Sequence, residues 1–338
     1  MAKRRLFRWP APRTTGLTFL ALVLSCLTIF LYGGGELPKT PSQREQESLH
    51  DSVIRQLAEI TASYSNASQI GLVLAATQAD DLQWLLDYCK ERGPSTVPFI
   101  YSTDEEEPDE RLLIPRTTRG REATAYLSYI IDHYDNLPPY SIFIHSNINQ
   151  WHNDLFGPFT SPALRNLRLE AVDAMGYVNL RCQHDPGCPT SVHPWSPTQI
   201  DIDKNDIRAF FPEVYQTILG VEANQVPEHI GNVCCGQFAV SRERIMARPV
   251  TDYERMLKWA AETQRTDSFG VGWVYEKIWH IIFGMEVIYC PRYEQCRCDV
   301  YGWCGPLAGT GETLQAVRAP AVPGPRPGPG PGAGAGAS

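Results

Sequence analysis

The segment Gly120–His152, GREATAYLSYIIDHYDNLPPYSIFIHSNINQWH, constrains the fold of this chain more than any other stretch. It presents a helical pattern, a stop at Leu137-Pro138-Pro139, an apolar run over Ser141–His145, and a loop rich in His, Trp and Asn. Proline lacks a backbone N–H and cannot continue a helix, so the helix must end before the apolar run begins. A strand whose far end carries polar side chains is how α/β enzymes bring chemistry to the carboxyl edge of a sheet. The helix, expected over 122–135, has a stripe of Leu127, Ile130, Ile131 and Tyr134 to lie on the sheet. Glu122, Tyr126, Tyr129 and His133 fall on a neighbouring face.

The same alternation extends along the chain. Ile70–Ala76 (IGLVLAA) is a continuous apolar run, short enough to be a strand covered on both faces. Thr77–Asp81 offers polar caps, and Leu82, Leu85, Leu86 and Cys89 follow at helical spacing. Val97–Tyr101 reads as a second strand, followed by an acidic run, Asp104–Glu110, read as a solvated loop. Further strands are expected at Tyr177–Cys182, Gln237–Ser241 and Glu286–Cys290, and helices near Ser161–Met175, Asp252–Glu262 and Val271–Phe283. Strands alternating with helices predict an α/β fold, with a mostly parallel central sheet and helices on both faces, in one domain over residues 70–307.

The ends of the chain differ in composition. Residues 14–35 carry no charged side chain, and Lys3, Arg4, Arg5, Arg8 and Arg13 precede them. A helix of that length spans a bilayer, and the positive-inside bias makes 1–13 a cytosolic tail and 14–35 a type II signal anchor. A cleaved signal peptide is the rival reading, because Gly33, Gly34 and Gly35 follow the apolar core. Residues 36–69 read as a polar stem, helical over part of Ser48–Ile60, and 308–338 as a Pro/Gly/Ala tail unable to bury a core. The expected location is a secretory-pathway lumen such as the Golgi. Asn66-Ala67-Ser68, a glycosylation sequon, fits that topology. A net charge of −8 argues against a nucleic-acid partner.

Cysteine usage follows from that location. Cys26 lies in the apolar span and nine cysteines lie beyond it, so an oxidising lumen predicts disulfides with one thiol left over. Cys182 and Cys188 close a short Pro/Gly loop and suit a pair. Cys234 and Cys235 are each expected to bond elsewhere or be buried. The spacing of Cys290, Cys296, Cys298 and Cys304 suits disulfides better than zinc.

The candidate chemistry gathers in three places. His145 ends the central strand and His152 follows in a loop with Asn147, Asn149, Trp151, Asn153 and Asp154. Imidazoles there could ligate a metal or act as acid and base, or could simply satisfy backbone groups in a loop packed by Trp151. Asp201-Ile202-Asp203 could meet a hard cation on a diphosphate, but its polar setting favours a solvated loop. Glu276 and His280, four residues apart on one helix face, suit either a structural pair or a tuned acid/base couple.

From about Leu72 to Gly305 the chain resembles a large, mainly fungal family, the domain of unknown function 3431. The likeness is carried by Asp81 with Trp84-Leu85, Gly120-Arg121-Glu122-Ala123, Tyr126-Leu127, His133-Tyr134-Asp135 and Leu137-Pro138. It continues through Phe143, His145, Trp151-His152, Gly176–Leu180, Cys235, Gln237-Phe238, Glu276 and Trp279-His280. Where the family reads Glu-His before Trp-His, this chain has Glu276-Lys277.

More distantly, the layout is similar to GT-A-fold glycosyltransferases, whose later strand running into Ser-Arg is matched by Gln237–Arg242 (QFAVSR). His145 stands where their Asp-x-Asp would fall. That resemblance, with the anchor-and-stem plan, implies a glycosyltransferase-like protein taking a nucleotide-sugar and a divalent cation such as manganese, and acting on a glycan or glycoprotein. In this reading Asp80, Asp81 and Glu122 border the nucleotide pocket. His145, His152 and Asp154 hold the metal–diphosphate, and His145, His152, Glu276 and His280 are the catalytic candidates. A non-catalytic glycan-binding or cell-wall-associated protein is the alternative, and a metal-dependent hydrolase a third.

Overall fold

The structure, a computed structural model, describes residues 41–305, with side chains from Leu49 onward. The span expected at 14–35 and the tails at 1–13 and 308–338 lie outside the described residues. No helix among the described residues is long and apolar enough to cross a membrane.

In chain order the elements are α1 (Pro41–Ala62), β1 (Ile70–Ala76), α2 (Gln83–Arg92), β2 (Thr96–Ser102), α3 (Glu122–His133) and β3 (Tyr140–Phe143). Next come α4 (Thr160–Asn166), α5 (Leu169–Met175), β4 (Tyr177–Asn179), α6 (Gln199–Asp203), α7 (Phe211–Leu219) and β5 (Gly231–Asn232). The last are β6 (Phe238–Ser241), α8 (Arg242–Met246), α9 (Val250–Glu262), α10 (Ser268–Ile282), β7 (Ile288–Tyr289) and α11 (Tyr293–Tyr301).

Five strands form the main sheet in the order β2-β1-β3-β6-β4. β1 pairs in parallel with β2 and β3, while β6 runs antiparallel to both β3 and β4. β1, β2, β3 and β4 therefore point one way and β6 alone reverses, which makes the sheet mixed but mostly parallel.

Period-2 alternation divides the core between the two faces of this sheet. Val73, Phe99, Phe143, Tyr177 and Phe238 lie in one cluster with residues of α3, α7, α9 and α10. Ile70, Leu72, Leu74, Ile142 and Val178 lie in the other with residues of α1, α2, α5 and α11. Helices thus cover both faces, as the apolar strand runs require.

The segment read as a stem contributes to this core. Val53, Ile54 and Leu57 of α1 are buried in the second cluster because they recur on one helical face. The helix expected over Ser161–Met175 is broken at Leu167-Arg168, whose backbone is extended. There Arg168 N donates to the Val300 carbonyl of α11, replacing a helical bond with a tertiary one. The strand expected at Glu286–Cys290 shortens to β7 and pairs with β5, outside the main sheet.

α3 buries more than the expected stripe: beside Leu127, Ile130 and Ile131, the neighbouring-face residues Tyr126 and Tyr129 are fully buried. Tyr126 Oη donates to the Ile144 carbonyl at 3.0 Å, and Tyr129 Oη shares a 2.9 Å hydrogen bond with Ser141 Oγ. Gly71 makes room for this contact, since a Cβ there would stand 2.9 Å from the Tyr129 hydroxyl. Tyrosine is apolar in its ring and polar only at its tip, so a tyrosine stripe can be a core stripe wherever backbone acceptors are in reach.

The cysteines pair as Cys182–Cys296, Cys188–Cys290, Cys298–Cys304 and Cys234–Cys235. Cys182 and Cys188 therefore do not bond to each other. Cys182 is buried in the second cluster, where α11 brings Cys296, a partner that local spacing cannot disclose. Cys234 and Cys235, each expected to bond elsewhere or be buried, are both buried, and they bond to each other. All four late cysteines are in disulfides, as their spacing suggested. The thiol left over is Cys89, whose burial pushes its pKa up to about 12 and leaves it protonated and inert.

Candidate functional site

β2 lies on one side of β1 and β3 on the other, so the connections leaving the carboxyl ends of β1 and β3 diverge. A crevice at such a switch point is where open α/β sheets bind ligands. Here it is a cleft of about 900 Å³. The loop after β1 contributes Thr77 and Asp80, and the loop after β2 contributes Thr103 and Glu105. The start of α3 supplies Arg121 and Glu122, and the loop after β3 supplies His145, Ser146, Trp151 and His152.

α10 closes the opposite wall. Ser268, Phe269, Gly272, Trp273 and Glu276 recur on one helical face and line the cleft. Gly120, with φ +103°, brings the two helix starts together. Its N–H donates to Ser268 Oγ at 2.9 Å, and a Cβ on Gly272 would stand 3.3 Å from its carbonyl oxygen. Arg121 follows with φ +55°, its guanidinium 5.2 Å from the Phe269 ring centre.

The end of β3 is held from three sides. Tyr126 donates to the Ile144 carbonyl, Trp84 Nε1 donates to the Ser146 carbonyl at 2.8 Å, and His145 N donates to Gln237 Oε1 at 3.3 Å. Gln237 Nε2 in turn reaches Asn153 Oδ1 at 3.2 Å, tying the strand to the far side of the loop. Buried polar contacts of this kind fix geometry, because each group left unpaired would cost on the order of 1–3 kcal/mol.

His145 Nε2 stands 2.9 Å from the Cys235 carbonyl, at a residue with φ +105° in the adjacent disulfide pair. A carbonyl only accepts, so in the neutral ring Nε2 carries the proton and Nδ1 the lone pair. The His152 ring lies 5.0 Å from that of His145, centre to centre. Burial lowers the His152 pKa to about 4, helped by the neighbouring His145 and Arg181, so its imidazole is neutral at pH 7. Its Nδ1 is buried without a partner.

Asp154 occupies a different place from the one its sequence position suggests. Its Oδ2 accepts from Cys182 N at 2.9 Å and Gln183 N at 2.7 Å, and it is not among the cleft-lining residues. Burial raises its pKa against the opposing effect of those two bonds. It anchors the loop after β4 and does not join the two imidazoles. Arg181 anchors the other side, donating through Nη1 to the carbonyls of Trp151 and His152 at 3.3 and 3.0 Å.

The other candidates separate as well. Glu276 faces the cleft, with Lys277 Nζ 2.8 Å from its Oε1. His280, one turn further along α10, is fully buried, and its Nε2 lies 3.2 Å from the Val287 carbonyl. The two do not form a couple. Asp80 lines the cleft and its Oδ2 accepts from Thr77 N at 2.8 Å. Asp81 does not line it, and its Oδ1 accepts from Gln83 N at 3.0 Å. Asp201 completes a capping box with the N-cap Thr198 at the start of the short helix α6, accepting from Thr198 N and Oγ1.

The cleft therefore carries four carboxylates, Asp80, Glu105, Glu122 and Glu276, against one guanidinium, Arg121. Among the described residues no three His, Cys, Asp or Glu side chains converge as a metal site. Trp84, Gln237 and Arg181 support the site although no sequence pattern singles them out for that task. Trp84 and Gln237 are nevertheless visible in the family likeness, as polar-tipped residues beside apolar runs with no evident reason to be there.

No curated protein and no solved structure matches the chain. Residues 72–299, more than half of the chain, match the family described as "Protein of unknown function (DUF3431)", with β1 and α11 at its two ends and the cleft between them; the chain belongs to that family.

Proposed function

We propose that the cleft binds sugar and that the protein is glycosyltransferase-like, taking a nucleotide-sugar donor and a glycan or glycoprotein acceptor. The observation that carries this reading is the cleft of about 900 Å³ at the carboxyl ends of β1, β2 and β3. That volume is in the range of sites that enclose a sizeable small molecule, and its position is the one where such folds hold nucleotides. Strand β6, reversed beside β3 and running into Ser241-Arg242, supports the likeness to the GT-A fold. A type II anchor at residues 14–35, with this domain in a secretory-pathway lumen, belongs to the same proposal.

An excess of carboxylates repels a bare diphosphate, so an anionic donor needs a countercharge. A divalent cation such as manganese would supply it by neutralising the leaving diphosphate. His145, through its Nδ1, and His152 are the residues available to hold it, with donor oxygens and water completing the shell. Asp80 and Thr77 border the nucleotide side, beside the end of β1. Glu276 faces the acceptor side as a candidate base, its charge balanced by Lys277.

A second reading is favoured by the aromatic rings. Trp151 and Phe269 are 64% and 59% exposed, and exposed rings in a cleft are stacking platforms for sugar faces. The protein in that case binds a glycan without transferring sugar.

Thermal melting of the oxidised full chain separates the two. A donor present at ~100 times its Kd adds ~2.7 kcal/mol to stability. The transferase reading expects that shift with a sugar nucleotide and manganese, and its loss in His145→Ala. Stabilisation by free glycans, with none by any sugar nucleotide, would sink it in favour of the second reading.

A further inference from the structure

An antiparallel bridge between Val192 and Ile230 lies outside the main sheet. Ile230 N donates to the Val192 carbonyl at 3.0 Å and Val192 N to the Ile230 carbonyl at 3.1 Å. The next facing pair outward, His193 and His229, is therefore a non-hydrogen-bonded cross-strand pair, the kind in which side chains stand closest. Both histidines are exposed, and neither lines the cleft. Their rings are 4.9 Å apart between centres and nearly perpendicular at 87°, and the two Nδ1 atoms face each other at 2.9 Å.

Facing imidazole nitrogens can share one proton, as N–H···N. A cation that accepts both lone pairs can take that proton's place. We propose that His193 and His229 form a surface site for a divalent transition cation, separate from the cleft. Two imidazole nitrogens are a sparse ligand set, completed by water, and at such a site the general affinity order of first-row divalent ions favours copper(II) over zinc.

The backbone beneath the pair is held in place. Val192 and Ile230 are buried, and Gly231, the residue after Ile230, pairs with Ile288 of β7. A Cβ on Gly231 would stand 1.8 Å from the Pro189 carbonyl oxygen, so the two chain segments pass in direct contact. A cation bridging His193 and His229 meets a backbone already in position and has only the two exposed rings to order.

The test is copper(II) titration of the oxidised full chain, read by electron paramagnetic resonance. The proposal expects a tetragonal signal with coupling to two nitrogens, saturating at one ion per chain. His193→Ala and His229→Ala should each weaken binding at least tenfold, and zinc should compete poorly. A His145→Ala/His152→Ala protein should keep the two-nitrogen signal, whatever becomes of the sugar-binding reading. The proposal is overturned if His193→Ala/His229→Ala binds copper as the unaltered chain does. Loss of the signal in the His145→Ala/His152→Ala protein alone would also overturn it, by placing the ion in the cleft.

Discussion

Arg181 holds the backbone of His152: its Nη1 donates to the His152 carbonyl at 3.0 Å while its Nη2 donates to the Asp185 carbonyl at 2.8 Å. One guanidinium thus joins the loop after β3 to the loop after β4. Arg181→Met keeps the aliphatic part of the side chain but removes the donors that serve the Trp151, His152 and Asp185 carbonyls. It should lower stability by about 2–3 kcal/mol, seen as a lower denaturant midpoint at unchanged slope. Arg181→Lys should recover only part of this, since a point charge cannot reach acceptors in two directions.

Trp151 offers the converse case. Its ring is 64% exposed, with the Arg181 guanidinium 5.6 Å from its centre. Trp151→Ala should cost at most about 1 kcal/mol of stability through that lost contact. Affinity for whichever sugar ligand stabilises the protein in melting should fall about tenfold, measured by calorimetry. A ligand bound equally well without this ring would remove Trp151 from the site.

Stability should fall as pH drops below neutral. Burial lowers the His280 pKa to about 4, against the opposing effect of its hydrogen bond to the Val287 carbonyl, so the folded protein holds this imidazole neutral. The unfolded chain takes up a proton near pH ~6.5 and the folded one only near 4. The destabilisation therefore develops between those values, at up to ~1.4 kcal/mol per pH unit, and is absent above neutral pH. In urea unfolding His280 should contribute about 2 kcal/mol of the difference between pH 7 and pH 5, and His152, also held near 4, adds to it in the same direction. His280→Leu should remove its share of that slope and leave the remainder.

The meeting of α3 and α10 depends on Gly120. At φ +103° a side chain is strained, and a Cβ there would stand 2.7 Å from Val271 Cγ1. Gly120→Ala should cost about 1–3 kcal/mol and shift the wall of the cleft, so ligand affinity should fall along with melting temperature.

Removing the Cys182–Cys296 link should be at least as costly. The two cysteines are 114 residues apart, so Cys182→Ser/Cys296→Ser releases a long closed loop in the unfolded chain. The expected loss is about 2–5 kcal/mol by denaturant titration.

Much of this fold was legible because periodicity reports burial. Ile70–Ala76 is read as a covered strand and forms β1 with those bounds, and the helix expected from Glu122 begins there. The site was legible only to the level of its loop. His145 and His152 do come together at the sheet edge. Asp154 follows His152 closely in sequence, yet its carboxylate turns away to the backbone donors of Cys182 and Gln183. Partners from distant segments decide the direction of a side chain in a loop, and the loop's own sequence does not name them.

Glu276 and His280 diverge for a related reason. A spacing of four puts them on one helical face, but α10 enters the core along its length, so that face is open at Glu276 and closed at His280. Tyr126 and Tyr129 lie beside the expected apolar stripe and are nevertheless buried, because Ile144 and Ser141 satisfy their hydroxyls. In each case the missing information is a contact made across the fold, which local pattern does not carry.

The pairing of Cys182 with Cys296 and of Cys188 with Cys290 also sets an order of events during synthesis. Each early cysteine must wait for a partner made 114 or 102 residues later. At ribosomal speeds that is on the order of ten seconds. Throughout that interval Cys182 and Cys188 have each other as the nearest thiols in the nascent chain, so premature oxidation joins the wrong two and has to be undone by exchange before α11 can dock. In oxidative refolding of the reduced chain, the yield of correctly paired protein should therefore depend on thiol–disulfide exchange more than on the supply of oxidant.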